Sequence, residues 1–216
     1  MWTQPLQRRS SNYVTSFPSD ASQLQVGQYF ALTPYIVYPL SRGYVHITGP
    51  ELSDTLAFEA GILADADEID VKKCRWAYKM QRGIARRMET YRGEVASSHP
   101  RFPKGSQAVC IETDEPLPVD VKDIEYTAED DVAIEEWIRE NLATTWHSLG
   151  ICKMASLEKL GVVDACLNVY GVTGLKIADL SIPSSNVAAN TNNTAMVIGE
   201  KAADIFIAEL GLLESN

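Results

Sequence analysis

Residues whose chemistry could act on a ligand concentrate between residues 144 and 201. His147 lies in a segment without periodicity, between a tryptophan and a glycine turn, and a neutral imidazole is a suitable general base near physiological pH. Asn190 begins a polar cluster at 190–194 that opens an apolar helix. A helix N-terminus offers free N–H groups and a positive potential to an electron-rich ligand. A base, the end of a strand at 179–183 and this helix N-terminus could therefore converge on one ligand.

Both features also have a structural interpretation. The cluster at 190–194 contains the residue types that cap helices, so it could serve only as an N-cap. His147 could be a packed or solvated histidine of a turn. The spacing of these residues does not separate the two interpretations, and both stay open at this point.

Nucleophilic and metal chemistry are less well supported. Ser148 is not part of a G-x-S-x-G elbow. Cys152 is five residues from His147 in one segment, a spacing that does not establish a nucleophile–base geometry, and we expect it to be buried. We expect His46 to be a half-buried strand residue and His99 a solvated or packing residue of a loop. The histidines are far apart in sequence, so no metal site is predicted.

Hydrophobic periodicity predicts the elements that must position these residues. Aromatic and β-branched residues over 29–40, a turn at 41–43 and alternation over 44–48 predict a pair of strands. A helix is predicted over 71–91, where apolar residues at three- and four-residue steps define a core face. That predicted face consists of Ala77, Met80, Ile84, Met88 and Tyr91.

Two further helices are predicted. One begins at Thr127 with Asp130 three residues on, which is a capping-box pattern, and runs to about 141. Its predicted core residues are Val132, Ile134, Trp137, Ile138 and Leu142. The other runs over 194–210, and its residues available for packing are Met196, Ile198, Ala202, Ile205 and Leu210. Short β segments with glycine turns are predicted between them, over 162–178.

Composition limits the classes of partner. The 216 residues carry a net charge of −10, which argues against binding to nucleic acid or to anionic lipid. No apolar run approaches the length of a membrane span, and the polar N-terminal segment has no hydrophobic stretch of a secretory signal. The four cysteines form no C-x-x-C pair. We expect reduced thiols, as in an intracellular protein.

The same residues carry a family resemblance. They resemble the C-terminal signature region of the glucose–methanol–choline oxidoreductases, the flavin-dependent alcohol oxidases and dehydrogenases, and among these the fungal alcohol oxidases most. The matching pieces, from residue 28 onward, are YPLSRG at 38–43, VHIT at 45–48, TWH at 145–147, G-x-C-x-M at 150–154, GVVD at 161–164, NVYGV at 168–172, GLK at 174–176, D-x-SIP at 179–183, and Asn186-Val187 through Asn190.

The resemblance implies a site and an activity. His147 would be the base that removes the alcohol proton, and Asn190 would hold the substrate oxygen. FAD would be the cofactor and would accept the hydride at N5, with oxygen or another acceptor taking the electrons. The implied flavin-contacting residues are Trp146, Asp179, Leu180, Asn190 and Thr191. No metal is implied.

The resemblance also implies a fold and its limits. The fold class is α/β of the α+β type, a mostly antiparallel sheet with helices on one face plus a C-terminal strand–helix of the flavin domain. We predict an irregular segment at 1–28, a substrate-binding domain at 29–143 and the signature segment at 144–216.

The chain departs from the family pattern in one respect. It contains no G-x-G-x-x-G loop to hold the FAD pyrophosphate, since no two glycines lie two positions apart. We therefore expect a C-terminal portion that is poorly soluble alone, or that needs the N-terminal half or a second copy as a partner. A non-catalytic remnant or binding module without flavin is the alternative.

Overall fold

The computed structural model describes residues 8–12 and 27–212. The backbone forms two compact units. The first comprises residues 62–145 together with the described residues up to Ile36, and the second comprises residues 37–61 together with the described residues from Trp146 onward. The irregular segment predicted at 1–28 is corrected at two places, because residues 8–12 form a strand and Gln28 begins another. The rest of that prediction, up to residue 26, lies outside the described residues.

The first unit contains one small sheet and two helices. Strand β1 (Arg8–Asn12) pairs in parallel with β2 (Gln28–Leu32), from Arg8 opposite Gln28 to Asn12 opposite Leu32. The predicted strand over 29–40 therefore ends at Leu32. Helix α1 spans Ile69–Ala85, and helix α2 spans Ala128–Asn141. A short 3-10 turn lies at Ala96–Ser98.

Helix α1 begins where Asp65 accepts hydrogen bonds from the backbone N–H groups of Ile69 and Asp70, which have no partner within the helix. Its buried face differs from the predicted one. Met80 and Ile84 are exposed. The face that is buried consists of Asp70, Val71, Cys74, Tyr78, Gln81, Arg82 and Ala85. Tyr91, the last residue of the predicted face, is buried but lies beyond the helix.

Helix α2 begins as predicted. The Thr127 hydroxyl accepts from the Asp130 N–H at 3.1 Å, and the Asp130 carboxylate accepts from the Thr127 N–H at 2.8 Å. This reciprocal pair satisfies two donors at the helix start. Ile134 and Ile138 pack with the apolar side chains of α1, with Trp137 and Leu142 at the edge of that cluster, whereas Val132 is exposed.

The second unit contains an antiparallel hairpin. Strand β3 (Tyr44–His46) pairs with β4 (Ala57–Glu59), so the partner of 44–48 is the following strand and not the predicted strand before it. Gly43 is required at the entry to β3, because a Cβ there would lie 2.6 Å from the carbonyl oxygen of Ala60.

The remainder of the second unit is a looped layer followed by helix α3 (Asn192–Glu209). Isolated bridges join Met154, Val163 and Val169, and join Asn168 to Lys176, which corresponds to the short β segments predicted over 162–178. A 3-10 turn lies at Leu157–Lys159. The core of this unit consists of Val163, Leu167, Ile182 and Ala202, with Ile198, Ile205 and Phe206 of α3 packed against it. Met196 and Leu210, predicted to pack, are exposed.

The fold class is mixed α/β, as predicted. Within 8–12 and 27–212 the sheets are two-stranded, one parallel and one antiparallel, in place of a single mostly antiparallel sheet. In the described part of the chain no strand directly precedes α3. The segment at 179–183 is held instead by backbone hydrogen bonds from residues 150, 152 and 154. No helix in the described part of the chain is long and apolar enough to span a membrane.

Candidate active site

His147 and Asn190 are in hydrogen-bond contact. The Asn190 Nδ2 atom lies 3.0 Å from the His147 Nε2 atom, across 43 positions of sequence. Asn190 is held in this orientation because its Oδ1 accepts the backbone N–H of Asn192 at 2.9 Å. Of the two polar atoms of the Asn190 side chain, only the oxygen can accept from that N–H, so the amide nitrogen must point toward the imidazole.

This orientation determines which ring nitrogen of His147 carries the proton. An amide NH₂ group donates and does not accept. Nε2 must therefore accept, and the neutral ring carries its proton on Nδ1. The site thus presents an acceptor, Nε2, beside a donor, Nδ2. A hydroxyl group has the complementary pair, since its hydrogen donates and its oxygen accepts.

His147 precedes a segment that is tied to the core by backbone hydrogen bonds. The N–H groups of Gly150, Cys152 and Met154 donate to the carbonyl oxygens of residues 180, 181 and 182, at 3.2, 2.9 and 2.7 Å. Ile182 is buried in the core of the second unit. Gly150 has a φ of 87°, a conformation that favours glycine, so the turn after His147 depends on this residue.

Asn190 is positioned by the start of α3. The next residue, Thr191, is 3% exposed, and its side chain makes no capping hydrogen bond. Asn190 caps instead, through the bond from the Asn192 N–H. The N-cap interpretation of 190–194 is therefore correct for Asn190 Oδ1, while the amide nitrogen of the same side chain is directed at His147. Asn190 therefore both caps the helix and contacts the histidine.

Left-handed backbone conformations flank the pair. Trp146, directly before His147, has a φ of 58°, and Ala188, two residues before Asn190, has a φ of 57°. Residues other than glycine adopt this region at a cost of order 1 kcal/mol each. The rest of the fold must offset that cost.

The remaining predicted site residues occupy different environments. Trp146 is 80% exposed. The Leu180 carbonyl accepts from Gly150, which links it to the turn after His147. Asp179 accepts the Ser181 N–H at 2.7 Å, and its hydrogen bonds from the Ser181 side chain and backbone lower its pKa. The structure brings His147 and Asn190 into contact, and Trp146 and Thr191 are their chain neighbours. The Asp179 side chain instead accepts a hydrogen bond within the turn at 179–181.

The other histidines and the cysteines have structural surroundings. His99 is buried, and its Nδ1 lies 2.7 Å from the Tyr78 hydroxyl. His46 is exposed rather than half-buried as expected, and it stacks on Tyr44. Burial raises the pKa of the Cys74 thiol to about 11, which makes it a poor nucleophile. Cys152 is half-buried rather than fully buried as expected. Among the described residues no group of three or more His, Cys, Asp or Glu side chains could hold a metal ion.

Comparison with known protein families shows which family the chain belongs to. The C-terminal domain model described as GMC oxidoreductase matches residues 39–199. The chain belongs to the GMC oxidoreductase family. The matched residues include both His147 and Asn190.

Curated GMC relatives cover nearly the whole chain. It is 39% identical to an alcohol oxidase of Pichia angusta over 94% of this chain and 37% of the relative. It is 28% identical to a choline oxidase of Arthrobacter globiformis over 88% of this chain and 32% of the relative. The chain thus spans about a third of the length of these curated relatives.

Solved structures agree in fold. A formate oxidase of Aspergillus oryzae RIB40, studied for FAD modification, superimposes with a TM-score of 0.59 at 20% identity, over 82% of this chain and 26% of that chain. A fungal aryl-alcohol oxidase superimposes with a TM-score of 0.55 at 24% identity, over 81% of this chain and 24% of that chain. At these identities the likeness concerns the fold.

For one residue near this site, Asn186, the sequence predicted no role. It entered the prediction only as part of the family resemblance. Its signal is weak, because an asparagine in a serine-rich loop is an ordinary turn residue. Its long-range hydrogen bond, described below, is visible only in the folded chain.

Proposed function

We propose that this chain forms the alcohol-binding and proton-accepting part of an FAD-dependent GMC oxidoreductase that oxidises a CH–OH group. The observation that carries the proposal is the 3.0 Å contact between His147 Nε2 and Asn190 Nδ2. It supplies an acceptor and a donor side by side, which a primary or secondary alcohol can bridge. The family membership and the identity to alcohol oxidases support the same reaction class.

An alcohol hydroxyl that replaces the direct contact donates to Nε2 and accepts from Nδ2. As the O–H bond breaks, its proton goes to Nε2 and His147 becomes a cation. Negative charge then grows on the substrate oxygen, where the Asn190 amide donates a hydrogen bond. That donor is held in place beforehand by Asn192, so it needs no reorganisation during the reaction. An amide has no titrating proton that could compete with the transfer.

FAD, when bound, supplies the hydride acceptor N5, and molecular oxygen or another electron acceptor takes the electrons afterwards. The residues present fit the ring end of this cofactor. Asn190 Oδ1 caps one N–H group at the start of α3. The other N–H groups of a first helical turn have no partner within the helix and favour electron-rich groups such as the pyrimidine edge of the ring. They do not fit the pyrophosphate end, for which the sequence has no glycine loop.

The remaining roles follow as parts of the proposal. Asn190 and Thr191 would approach the pyrimidine edge of the ring, and Trp146 would lie beside it. Asp179 and Leu180 would lie toward the ribityl and pyrophosphate region. The segment at 29–143 would be the substrate-binding domain, and 144–216 the signature segment. The pyrophosphate cradle would come from the remainder of a family-length enzyme.

The test separates flavin binding from catalysis. The chain is incubated with FAD, desalted, and its visible absorbance measured, alone and together with the remainder of the Pichia angusta alcohol oxidase. We expect retained flavin in the combined sample and oxygen consumption with ethanol or a longer primary alcohol. His147→Ala should lower the rate by about 10²–10⁴-fold. Asn190→Ala should lower it by about 10²–10³-fold, as expected for one lost oxyanion donor.

The control for these variants is Asn141→Ala, at the exposed end of α2, which should keep the rate. A combined sample that retains flavin and oxidises alcohol equally well without His147 would contradict the proposal. A sample that stays colourless in every combination would favour the alternative, a binding module without flavin.

A further inference from the structure

The segment at 184–189 approaches the proposed catalytic pair without regular structure. Its residues form no helix or strand, and most of its side chains are exposed. Among residues 184–189, Asn186 joins the loop to a distant segment: its Nδ2 donates to the Val37 carbonyl at 2.7 Å, across 149 positions of sequence. Its Oδ1 accepts the Val187 N–H at 2.8 Å. Asn186 is therefore the side-chain anchor of this loop.

The anchored loop ends at Asn190. The Asn190 side chain is exposed, so its position follows from its backbone and from the bond to Asn192, not from packing. Only three residues separate Asn186 from Asn190, and one of them, Ala188, is held in the left-handed region. A displacement at Asn186 is therefore transmitted to Asn190 through a short turn with little freedom to absorb it.

We propose that Asn186 is a positioning residue, which anchors the 184–189 loop to the Val37 backbone and thereby sets the contact between Asn190 and His147. The segment it binds, residue 37, leads directly to β3 and belongs to the same unit as the pair. Its effect on alcohol oxidation rests on the proposed function. Its effect on His147 in the ligand-free chain does not.

The amide of Asn186 suits this role because it uses both of its polar atoms. Nδ2 must donate, since its partner is a carbonyl oxygen, and Oδ1 must accept, since its partner is an N–H. An aspartate has nearly the same shape and keeps the acceptor, but as a carboxylate it cannot donate to Val37. Asn186→Asp therefore removes the long-range bond while it retains the local one.

The His147 tautomer reports on the contact directly. While Nδ2 of Asn190 donates to Nε2, the ring proton stays on Nδ1. Loss of the contact removes this bias. In the full chain with ¹⁵N-labelled histidine, at mildly alkaline pH, the ring nitrogen shifts of His147 give the ratio of the two neutral tautomers. His147→Gln identifies its signals.

We expect an Nδ1–H tautomer in the unmodified chain. Asn186→Ala and Asn186→Asp should each lower the ratio of Nδ1–H to Nε2–H about fivefold, which corresponds to about 1 kcal/mol of lost hydrogen bonding. Asn190→Ala should lower it at least as much. Ser185→Ala, an exposed neighbour in the same loop, should leave it unchanged. Far-UV circular dichroism verifies that each variant is folded.

An unchanged tautomer ratio in folded Asn186→Asp would overturn the inference, and this variant decides the question if Asn186→Ala does not fold. The outcome is separable from the proposed function. A tautomer shift in a chain that never supports alcohol oxidation would uphold Asn186 as the anchor and refute the function. Loss of oxidation in His147→Ala with no shift in the Asn186 variants would do the reverse.

Discussion

His147 and His99 each contact a single polar side chain, but their surroundings give them different chemistry. His147 is half-buried, and its Nε2 lies 3.0 Å from the amide donor of Asn190. His99 is 3% exposed and meets the Tyr78 hydroxyl, with Arg82 and Glu94 nearby. A buried ring without access to substrate serves the stability of the fold rather than a reaction.

His99 should make the fold sensitive to acid. Burial, the largest cause, lowers the pKa of His99 to about 4, and the charge of Arg82 acts in the same direction, whereas Glu94 opposes it. The unfolded chain, with a histidine pKa of about 6.5, binds the proton first. The free energy of unfolding should therefore fall as the pH drops below about 6.5, by about 3 kcal/mol at pH 4. Urea unfolding across this range measures the loss.

The comparison for this prediction is His99→Gln, which keeps a polar partner for Tyr78 but does not titrate. The unfolding free energy of this variant should fall less at acid pH than that of the unmodified chain, because residue 99 no longer titrates. The fall caused by protonation of carboxylates should remain. Parallel pH profiles for the two proteins would show that His99 is not the group responsible.

At the level of elements, the sequence predicted what depends on local pattern. The existence of three helices, the capping box at Thr127 and the burial of Ile134 and Ile138 are confirmed, because caps and apolar periodicity act within a few residues. The buried face of α1 was predicted wrongly. Met80 and Ile84 are exposed, while Arg82 is fully buried. Apolar periodicity excludes arginine from a core, and the partner that permits its burial, Glu94, lies outside the helix.

The Arg82–Glu94 pair should dominate the stability of α1. Arg82 Nε and Nη2 donate to the two carboxylate oxygens at 2.7 and 2.6 Å, and Nη1 donates to the Ala108 carbonyl at 2.9 Å. Both side chains are 0% exposed. Removal of one partner leaves a buried charge uncompensated, so Arg82→Met or Glu94→Gln should each cost about 3–5 kcal/mol of unfolding free energy. Urea unfolding measures this cost.

A matched surface pair provides the reference. Arg139 and Glu68 are joined at 2.8 Å, but their side chains are 41% and 59% exposed. Arg139→Met should therefore change the unfolding free energy by no more than about 1 kcal/mol. In the double variant Arg82→Met, Glu94→Met, the total cost should be well below the sum of the single costs, because neither charge is left alone. Additive costs would contradict this account.

For the molecule as a whole, the sequence predicted more of the site than of the sheets. His147 and Asn190 were singled out by residue type and by resemblance, and the structure places them in contact. The strand partners were not predicted correctly, because β3 pairs with β4 across an intervening loop and β1 pairs with β2 in parallel. Pairing depends on contacts that are distant in sequence, whereas the site residues lie in short segments with distinctive composition. The role of Asn186 was missed for the same reason as the strand partners, since its hydrogen bond joins residues 149 positions apart in sequence.

The whole chain should self-associate through apolar side chains that the described structure leaves exposed. On α1, Trp76, Met80 and Ile84 recur at four-residue steps and are 65%, 46% and 55% exposed, which forms an apolar stripe opposite the buried face. We expect concentration-dependent association in analytical ultracentrifugation and binding of an apolar dye, despite a net charge of −10. A triple change of these residues to Gln should weaken both. The changes Trp76→Phe, Met80→Leu and Ile84→Leu, which keep the stripe apolar, should not. A monomeric chain without dye binding at all concentrations would refute this prediction.

Addition of the remainder of the Pichia angusta alcohol oxidase tests what covers the stripe, since a partner that occupies it should suppress dye binding in the unmodified chain and have no further effect on the Gln variant.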